Sequence, residues 1–297
     1  MELTLAALRQ AFAEQKYICG DDVIVPVYLA LKMGKPLLIE GAPGVGKTEI
    51  AKVLAAIFST ELIRLQCYEG LDETKALYEW NYQRQLIKIQ LSRQEERPHL
   101  ETDLFSLEYL LERPLLKAIM AEKRPVLLID EVDKTDEEFE AFLFELLSDF
   151  QVSIPELGTI KARNIPIVVL TSNRDRELSE GLRRRCIFLH LDFPDPAKEV
   201  EILRLKVPGL PEKLGQEIAR VVAMLRNNST LKKKPSIAES IDWARALMEL
   251  GRDRLDPEIF KITANLLLKN RDDLEHFHQE KNVIDLFARV KLEPTPV

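Results

Sequence analysis

The chain has few cysteines and no long apolar segment. Its 297 residues include three cysteines (Cys19, Cys67 and Cys186), which are widely spaced, odd in number and without a C-x-x-C pair. This usage fits a reducing cytoplasm with three buried thiols. No apolar run approaches the length of a membrane span, and the amino-terminal residues lack the layout of a secretory signal. We therefore expect a cytoplasmic protein without a membrane span.

The chain also lacks an excess of positive charge, with 42 lysines and arginines against 49 aspartates and glutamates. The formal net charge is −7, with 46% hydrophobic and 31% charged residues, which is typical of a globular protein. A negative chain repels phosphate backbones, so nucleic acid is disfavoured as a partner. We find no internal repeat or low-complexity tract, and the length suits one large domain or two ordinary ones.

The most informative stretch that is present is Gly41–Thr48, with the sequence GAPGVGKT. It follows the apolar run Pro36–Glu40 and opens onto Glu49–Leu54, which has helical character, and this context predicts a phosphate-binding loop. The glycines let backbone N–H groups approach phosphate oxygens, and the helix directs its positive end at the same anion. The residues expected to bind ATP or ADP here are Ala42, Pro43, Gly44, Val45, Gly46, Lys47, Thr48 and Glu49.

Two residues of this loop have a more specific predicted role. Lys47 is expected to reach the β- and γ-phosphates, and the Thr48 hydroxyl to ligate Mg²⁺.

Asp130 and Glu131 end a second apolar run, Pro125–Glu131, whose composition indicates a strand covered on both faces. Asp130 suits a Mg²⁺ contact, because hard cations prefer carboxylate oxygens. Glu131 suits the base that activates water for attack on the γ-phosphate.

Asn173 and a run of three arginines complete the set of candidate catalytic residues. Asn173 ends the apolar run Ile165–Asn173 and is a candidate to hold the attacking water. Ligands of open parallel sheets lie beyond the carboxyl ends of the strands, where Asn173 and the two carboxylates are expected to meet the phosphate loop. Arg183–Arg185 precede the last predicted strand and would reach a site from its other side. They suit either an arginine finger, with Arg185 the first choice and Arg184 the second, or a solvated basic run.

The order of elements predicts an α/β fold followed by a helical region. Strands alternate with helices as far as Leu191, which predicts an α/β fold with a mostly parallel sheet. Phe193–Pro196 marks a boundary. Beyond it only helical periodicity remains, over 197–206, 211–226, 236–250, 256–269 and 272–290, which predicts a second domain that is a small helical bundle.

Residues 68–124 give weaker patterns. Tyr78, Trp80 and Tyr82 alternate as in an extended segment, whereas Leu86–Leu91 suits a strand or a helix equally well. Residues 92–103 are polar and predict a surface excursion. Leu107–Ala121 is predicted to be helical, with a break or a start near Pro114. A β-hairpin is predicted over 151–155 and 159–163.

With these motifs in order, the chain resembles the AAA+ ATPases, and within them the MoxR family. The resemblance rests on GAPGVGKT, LLIDEVDK (127–134), VVLTSN (168–173), LRRRC (182–186) and the hairpin region 136–160. The stretch KPSIAESIDWARAL (234–247) is similar to the CoxD-type relatives found with carbon monoxide dehydrogenase maturation. The match covers nearly the whole chain.

The resemblance implies a P-loop αβα sandwich with a mostly parallel five-stranded sheet over residues 1–195, followed by an all-α lid domain over 196–297. It also implies several functional properties. Family members are chaperone-like ATPases that act on a protein client, often with a partner that carries a von Willebrand factor A domain, in cofactor maturation or insertion. They form homo-oligomers, so a hexameric ring with ATP and Mg²⁺ at subunit interfaces is expected. The adenine is expected near Ile18, Cys19 and Gly20. A low-turnover, nucleotide-dependent switch module is the alternative function.

One feature departs from the family pattern. Many relatives have an arginine at the start of the lid helix, where this chain has Ala238. Arg245, further along the same helix, is the candidate replacement.

Overall fold

The structure is a computed structural model that describes residues 3–92 and 104–292. The chain divides into two compact units, one of which comprises the described residues of Met1–Gly41 and Lys47–Leu191. The other comprises Ala42–Gly46 together with the described residues of Asp192–Val297.

Every strand among the described residues belongs to the first unit. In chain order they are β1 (Leu37–Glu40), β2 (Leu62–Gln66), β3 (Tyr78–Trp80), β4 (Leu110–Glu112), β5 (Val126–Asp130), β6 (Gln151–Ile154), β7 (Gly158–Lys161), β8 (Ile167–Ser172) and β9 (Ile187–His190). Five of them form a parallel sheet in the order β2-β5-β8-β1-β9, as predicted. Two antiparallel pairs, β3-β4 and β6-β7, are separate from it, and the second pair confirms the predicted hairpin.

The register of the sheet places the ends of its strands side by side. Every residue of β1, β5 and β8 is buried, which explains their continuous apolar sequences. Glu40 pairs with Ser172 at the ends of β1 and β8, and Gln66 pairs with Asp130 at the ends of β2 and β5. The segments that leave these four strands therefore start at one edge of the sheet.

Besides the strands, the first unit contains helices. They are α1 (Leu5–Glu14), α2 (Asp21–Met33), α3 (Lys47–Ile57), α4 (Glu73–Leu77), α5 (Tyr82–Ser92), α6 (Pro114–Met120), α7 (Glu137–Asp149) and α8 (Glu180–Arg185). Helix α3 contacts β2, β5 and β8, whereas α2 contacts β1 and β9. Leu115 and Leu116 of α6 and Leu143 and Leu146 of α7 join the core formed by the strands.

The structure corrects the prediction for residues 82–112. Tyr82 begins helix α5 instead of extending the preceding strand, and Leu86–Leu91 is helical. Leu107–Tyr109 is a short 3-10 helix and Leu110–Glu112 is strand β4. The α-helical part of the predicted helix is therefore limited to Pro114–Met120. The predicted surface excursion over 92–103 lies, apart from Ser92, outside the described residues.

The second unit is helical. It contains α9 (Pro196–Lys206), α10 (Glu212–Asn227), α11 (Ile237–Glu249), α12 (Pro257–Thr263), α13 (Arg271–His278) and α14 (Glu280–Leu292). Trp243 and Phe260 are fully buried at its centre, with their rings edge to face. The single helix predicted over 272–290 is two helices, because Gln279 takes an extended conformation between them.

Candidate nucleotide-binding site

The phosphate loop is held open by two glycines in the left-handed region. Gly44 has φ 81° and Gly46 has φ 94°, which side-chain-bearing residues rarely adopt. A Cβ on Gly44 would also collide with Ser236, and the Ile237 N–H donates to the Gly44 carbonyl at 3.2 Å. Helix α3 starts at Lys47, directly after the loop, as the sequence predicted. The start of α3 thus directs its N–H groups at the position predicted for phosphate.

Lys47 links the phosphate loop to Asn173. Its side chain is buried, and the Nζ atom donates to the Gly41 carbonyl and to Asn173 Oδ1, both at 2.7 Å. Burial lowers the pKa of the Lys47 ammonium, and the carboxylates of Asp133, Asp130 and Glu131 offset part of that shift. These carboxylates therefore favour the charged form of Lys47.

Asp130 is a buried carboxylate with both oxygens engaged. Oδ1 accepts hydrogen bonds from the hydroxyls of Thr171 and Thr48, the latter at 3.5 Å. Oδ2 accepts from Nε of Arg64 at 3.1 Å and from a second guanidinium nitrogen of the same residue. Asp130 is 4% exposed, so this partnership offsets the cost of burying its charge.

Glu131 takes a backbone conformation that is uncommon for a residue with a side chain. Its φ of 57° and ψ of 50° are left-handed, and its N–H donates to Thr171 Oγ1 at 2.9 Å. The Thr171 hydroxyl therefore joins Asp130 and Glu131. The Glu131 Oε2 atom accepts from Nε2 of Gln66 at 3.2 Å. The turn after β5 separates the two carboxylates, so that one is buried and the other is accessible.

Asn173 is fixed by the segment that follows Glu131. Its backbone N–H donates to Asp133 Oδ2 at 3.0 Å, and the N–H of Asp175 donates to the same oxygen at 2.9 Å. The other oxygen of Asp133 is buried and has no hydrogen-bond partner among the described residues. Asp133 therefore holds the backbone that presents Asn173 to Lys47.

The arrangement fits Mg²⁺. A hydroxyl and a carboxylate oxygen, Thr48 Oγ1 and Asp130 Oδ1, lie 3.5 Å apart beside the phosphate loop. Both are hard oxygen donors, and Mg²⁺ in phosphate sites commonly uses one or two such protein ligands and completes its shell with phosphates and water. Thr48 and Asp130 would hold the ion.

Several residues of the site were not singled out from the sequence. They are Arg64, Gln66, Asp133 and Thr171. Arg64 and Gln66 are two apart on β2 and so lie on the same face of the sheet, which is also the face of Asp130, the residue paired with Gln66. Thr171 and Asp133 stand within the motifs LTSN and DEVDK, whose spacing was a usable signal.

The segment predicted to lie near adenine is a loop between α1 and α2. The Tyr17 ring packs edge-on against Phe12, with centroids 5.7 Å apart. Burial raises the pKa of the Tyr17 hydroxyl, and the nearby groups of Cys19, Glu49 and Asp22 raise it further. Helix α1, which precedes this loop, contacts the phosphate-loop helix α3. Ile18, Cys19 and Gly20 therefore belong to a loop that follows a helix packed on α3.

Two of the three arginines of α8, Arg184 and Arg185, have partners other than the residues around Lys47. Arg184 pairs with Glu180 on its own helix and is highly exposed. Arg185 donates from Nε to the Ser148 hydroxyl at 2.9 Å, and its guanidinium lies 4.9 Å from the centroid of the Phe144 ring. Ile187, which follows them, pairs with Leu37 at the amino end of β1, the end opposite the phosphate loop. These two side chains are thus directed away from the chain's own site.

The third arginine has a different partner. Arg183 lies 3.5 Å from the buried carboxylate of Glu40, to which Arg174 donates from Nε at 2.9 Å. In the second unit, Ala238 lies in the first turn of α11, and Arg245 pairs on the same helix with Asp242 at 3.5 Å.

Comparison with known proteins gives a family match and a fold match. The family model described as an AAA domain of the dynein-related subfamily matches residues 36–186, just over half of the chain. An uncharacterized protein of Staphylococcus aureus (strain bovine RF122 / ET3-1), SAB1265c, is 26% identical over 227 residues, which is 73% of this chain and 77% of that protein.

Two solved structures of RuvB from Thermotoga maritima share the fold. One of them, a point mutant, is 18% identical, with a TM-score of 0.51, and the match covers 89% of this chain and 70% of that one. The structure titled as a Holliday junction branch migration motor is 17% identical, with a TM-score of 0.50 and the same coverage. In the part of the chain that the structure describes, none of the helices is long and apolar enough to cross a membrane.

Proposed function

The chain belongs to the AAA domain family, in its dynein-related subfamily, and on that premise we propose that it hydrolyses ATP to remodel a protein client. One observation carries the proposal. The Lys47 ammonium, the Thr48–Asp130 oxygen pair, the Glu131 carboxylate and the Asn173 amide all lie at the edge of the sheet where β1, β5 and β8 end. This is the set of groups that phosphoryl transfer to water requires.

Each group has a distinct role in the proposed reaction. Lys47 binds the β- and γ-phosphates, for which its ammonium exchanges its contacts with the Gly41 carbonyl and Asn173. Glu131 accepts the proton of the attacking water, and Asn173 orients that water. Thr48 and Asp130 hold Mg²⁺, which when bound neutralises charge on the phosphate oxygens. The loop Ile18–Gly20 borders the adenine, and Glu49 binds the nucleotide from the start of α3.

The assembly is proposed to be a hexameric ring in which an arginine completes the neighbouring site. Arg185, and Arg184 as the second candidate, are exposed and directed away from the site of their own chain. A guanidinium in that position is able to approach the γ-phosphate of a neighbouring subunit, where it neutralises charge that develops during transfer.

The client is proposed to be an enzyme that receives a metal cofactor. The support is the resemblance of the motifs to the MoxR family and of residues 234–247 to its CoxD-type members. A protein with a von Willebrand factor A domain is the proposed partner, and the cytoplasm the proposed location. The shared fold with RuvB does not imply that this chain acts on nucleic acid, and the net charge of −7 disfavours binding to nucleic acid.

Steady-state release of phosphate from Mg-ATP tests the proposal. Sustained release, saturable in ATP and rising in specific activity with protein concentration, is the expected result. Tight binding of ATP with less than about one turnover per hour would favour the alternative, a nucleotide-dependent switch module. Strong stimulation by DNA or RNA, lost at high salt, would favour a nucleic-acid motor and contradict the proposal.

A further inference from the structure

Arg64 occupies an unusual position for a cation. Its guanidinium binds Oδ2 of Asp130 with two nitrogens, one of them Nε at 3.1 Å. Asp130 is the carboxylate proposed to hold Mg²⁺ with Thr48. About half of the Arg64 side chain is exposed, whereas that of Asp130 is 6% exposed. The buried partner is therefore the fixed one, and the guanidinium can leave it for water.

The pairing follows from the register of two strands. Gln66 is opposite Asp130 in the β2–β5 pair, and Arg64 precedes Gln66 by two residues on the same face. A long side chain at that position reaches diagonally to the end of β5. Arg64 also donates to the Gln66 side chain, which in turn donates to Glu131 at 3.2 Å. One face of β2 thus contacts both carboxylates of the site.

We propose that Arg64 acts as an internal cation that competes with Mg²⁺ for Asp130 and so sets the Mg²⁺ dependence of nucleotide binding. This inference rests on the proposed function, because it assumes that ATP and Mg²⁺ bind at this site. Without the ion, Arg64 neutralises a carboxylate that would otherwise be buried uncompensated and would repel phosphate. With the ion, two cations share one carboxylate, and their repulsion opposes Mg²⁺ binding.

Two other roles for Arg64 give different consequences. If the guanidinium contacted a phosphate of the nucleotide, its loss would weaken nucleotide binding by the same factor with and without Mg²⁺. If it served only to stabilise the fold, its loss would lower thermal stability and leave both affinities unchanged. The ratio of the affinities with and without Mg²⁺ changes only if Arg64 competes with the ion. The affinity without Mg²⁺ and the thermal stability then separate the other two cases.

The experiment measures binding of N-methylanthraniloyl-ATP by fluorescence, in excess Mg²⁺ and in EDTA, for the wild type and Arg64 variants. In Arg64→Ala and Arg64→Gln, excess Mg²⁺ should improve the analogue's affinity about fivefold more than it does in the wild type. Arg64→Lys retains the charge and should stay close to the wild type. Gln keeps a hydrogen-bond donor, so it also serves if the Ala variant is unstable, and melting followed by circular dichroism checks that each variant is folded.

Arg113→Ala is the matched control. Arg113 is a comparably exposed arginine whose carboxylate partner is Glu79, on the β3–β4 pair, and its removal changes the net charge equally. Arg113→Ala should leave unchanged the factor by which excess Mg²⁺ improves the affinity for the analogue. The proposal that Arg64 competes with Mg²⁺ would be overturned if excess Mg²⁺ improved the affinity by the same factor in the wild type, Arg64→Ala and Arg64→Gln. An equal loss of affinity in both buffers would overturn it as well. Failure of the wild type to bind the analogue in either buffer would instead contradict the proposed function.

Discussion

Lys47 is the residue on which nucleotide binding is expected to depend most strongly. It is buried, it touches both the phosphate loop and Asn173, and it is the cation of Gly41–Thr48. Lys47→Ala should lose detectable binding of N-methylanthraniloyl-ATP, because no other side chain of the loop carries positive charge toward the phosphates. Lys52→Ala is the control, since Lys52 lies on the same helix, exposed and paired with Glu49. Undiminished binding by Lys47→Ala would refute the assignment of the loop.

The three thiols should differ in reactivity. Burial raises the pKa of Cys67 and of Cys186 to about 12, whereas Cys19 is only half-buried. Because the thiolate is the reactive form, Ellman's reagent should label one thiol of the native protein quickly and three after denaturation. Cys19→Ser should remove the fast phase. ATP should slow it in the wild type, since Cys19 is proposed to border the adenine. Equal rates for all three thiols would contradict the burial, and an unchanged rate with ATP would contradict the adenine position.

Some residues of the candidate site can be predicted from sequence motifs. Others are identified only from the register in which the strands pair. Lys47, Asp130, Glu131 and Asn173 follow apolar runs in a recognisable order, so the sequence alone predicts them as candidate site residues. Arg64 was not predictable in this way, because its contact with Asp130 depends on how β2 pairs with β5, and an exposed arginine on a strand has no local signature.

At the scale of elements, the strands of the main sheet were predictable and the region before β5 was not. Strands buried on both faces have continuous apolar sequences, which β1, β5 and β8 show. Helix α5 instead exposes Leu86, Ile87 and Leu91, which are 58%, 57% and 66% exposed. Its apolar residues therefore do not mark a buried face, and their spacing gave no preference between helix and strand.

The helical unit contains a buried ion pair that should be costly to break, because removal of one partner leaves the other charge buried. Arg226 of α10 donates to both carboxylate oxygens of Glu199 on α9, at 2.8 and 3.2 Å, and to the Pro235 carbonyl at 2.9 Å. Glu199→Ala leaves the Arg226 charge buried without its partner. The free energy of unfolding of this unit should fall by about 3–5 kcal/mol, measured by urea denaturation.

Two further variants make that test specific. Glu201→Ala removes an exposed carboxylate from the same helix and should change the free energy of unfolding by less than about 0.5 kcal/mol. The double variant Glu199→Leu with Arg226→Met should recover most of the stability, since it leaves no unpaired charge. A cost of Glu199→Ala no larger than that of Glu201→Ala would show that the pair is not buried in solution.

At the scale of the whole molecule, the proposed ring predicts that two inactive proteins restore each other. Arg185→Ala should keep ATP affinity and lose most hydrolysis, because an arginine acting on a neighbour's γ-phosphate contributes on the order of 10³–10⁵ in turnover. Arg185→Lys should also hydrolyse ATP slowly, because the ammonium group of lysine does not replace a planar guanidinium. Mixing Arg185→Ala with Glu131→Gln creates sites in which an intact Glu131 meets an intact Arg185 from the next subunit, so phosphate release should partly return.

The mixing experiment requires proof that subunits exchange. Energy transfer between separately labelled proteins provides it, and the Arg184→Ala variant, mixed in the same way, tests the second candidate. Exchange without any return of activity, for both arginines, would exclude their action across a subunit interface. Arg185 would then be a surface residue held by Ser148 and Phe144.

The central claim, hydrolysis of ATP with Glu131 as the base, is tested most directly by a single measurement. Phosphate release from Mg-ATP is followed for the wild type and for Glu131→Gln under single-turnover conditions, with the nucleotide bound beforehand. Gln keeps the size of the side chain but cannot accept the proton, so release should be slower by about 10²–10⁴-fold, with ATP still bound. Release at the wild-type rate would contradict the account and assign the base to another residue.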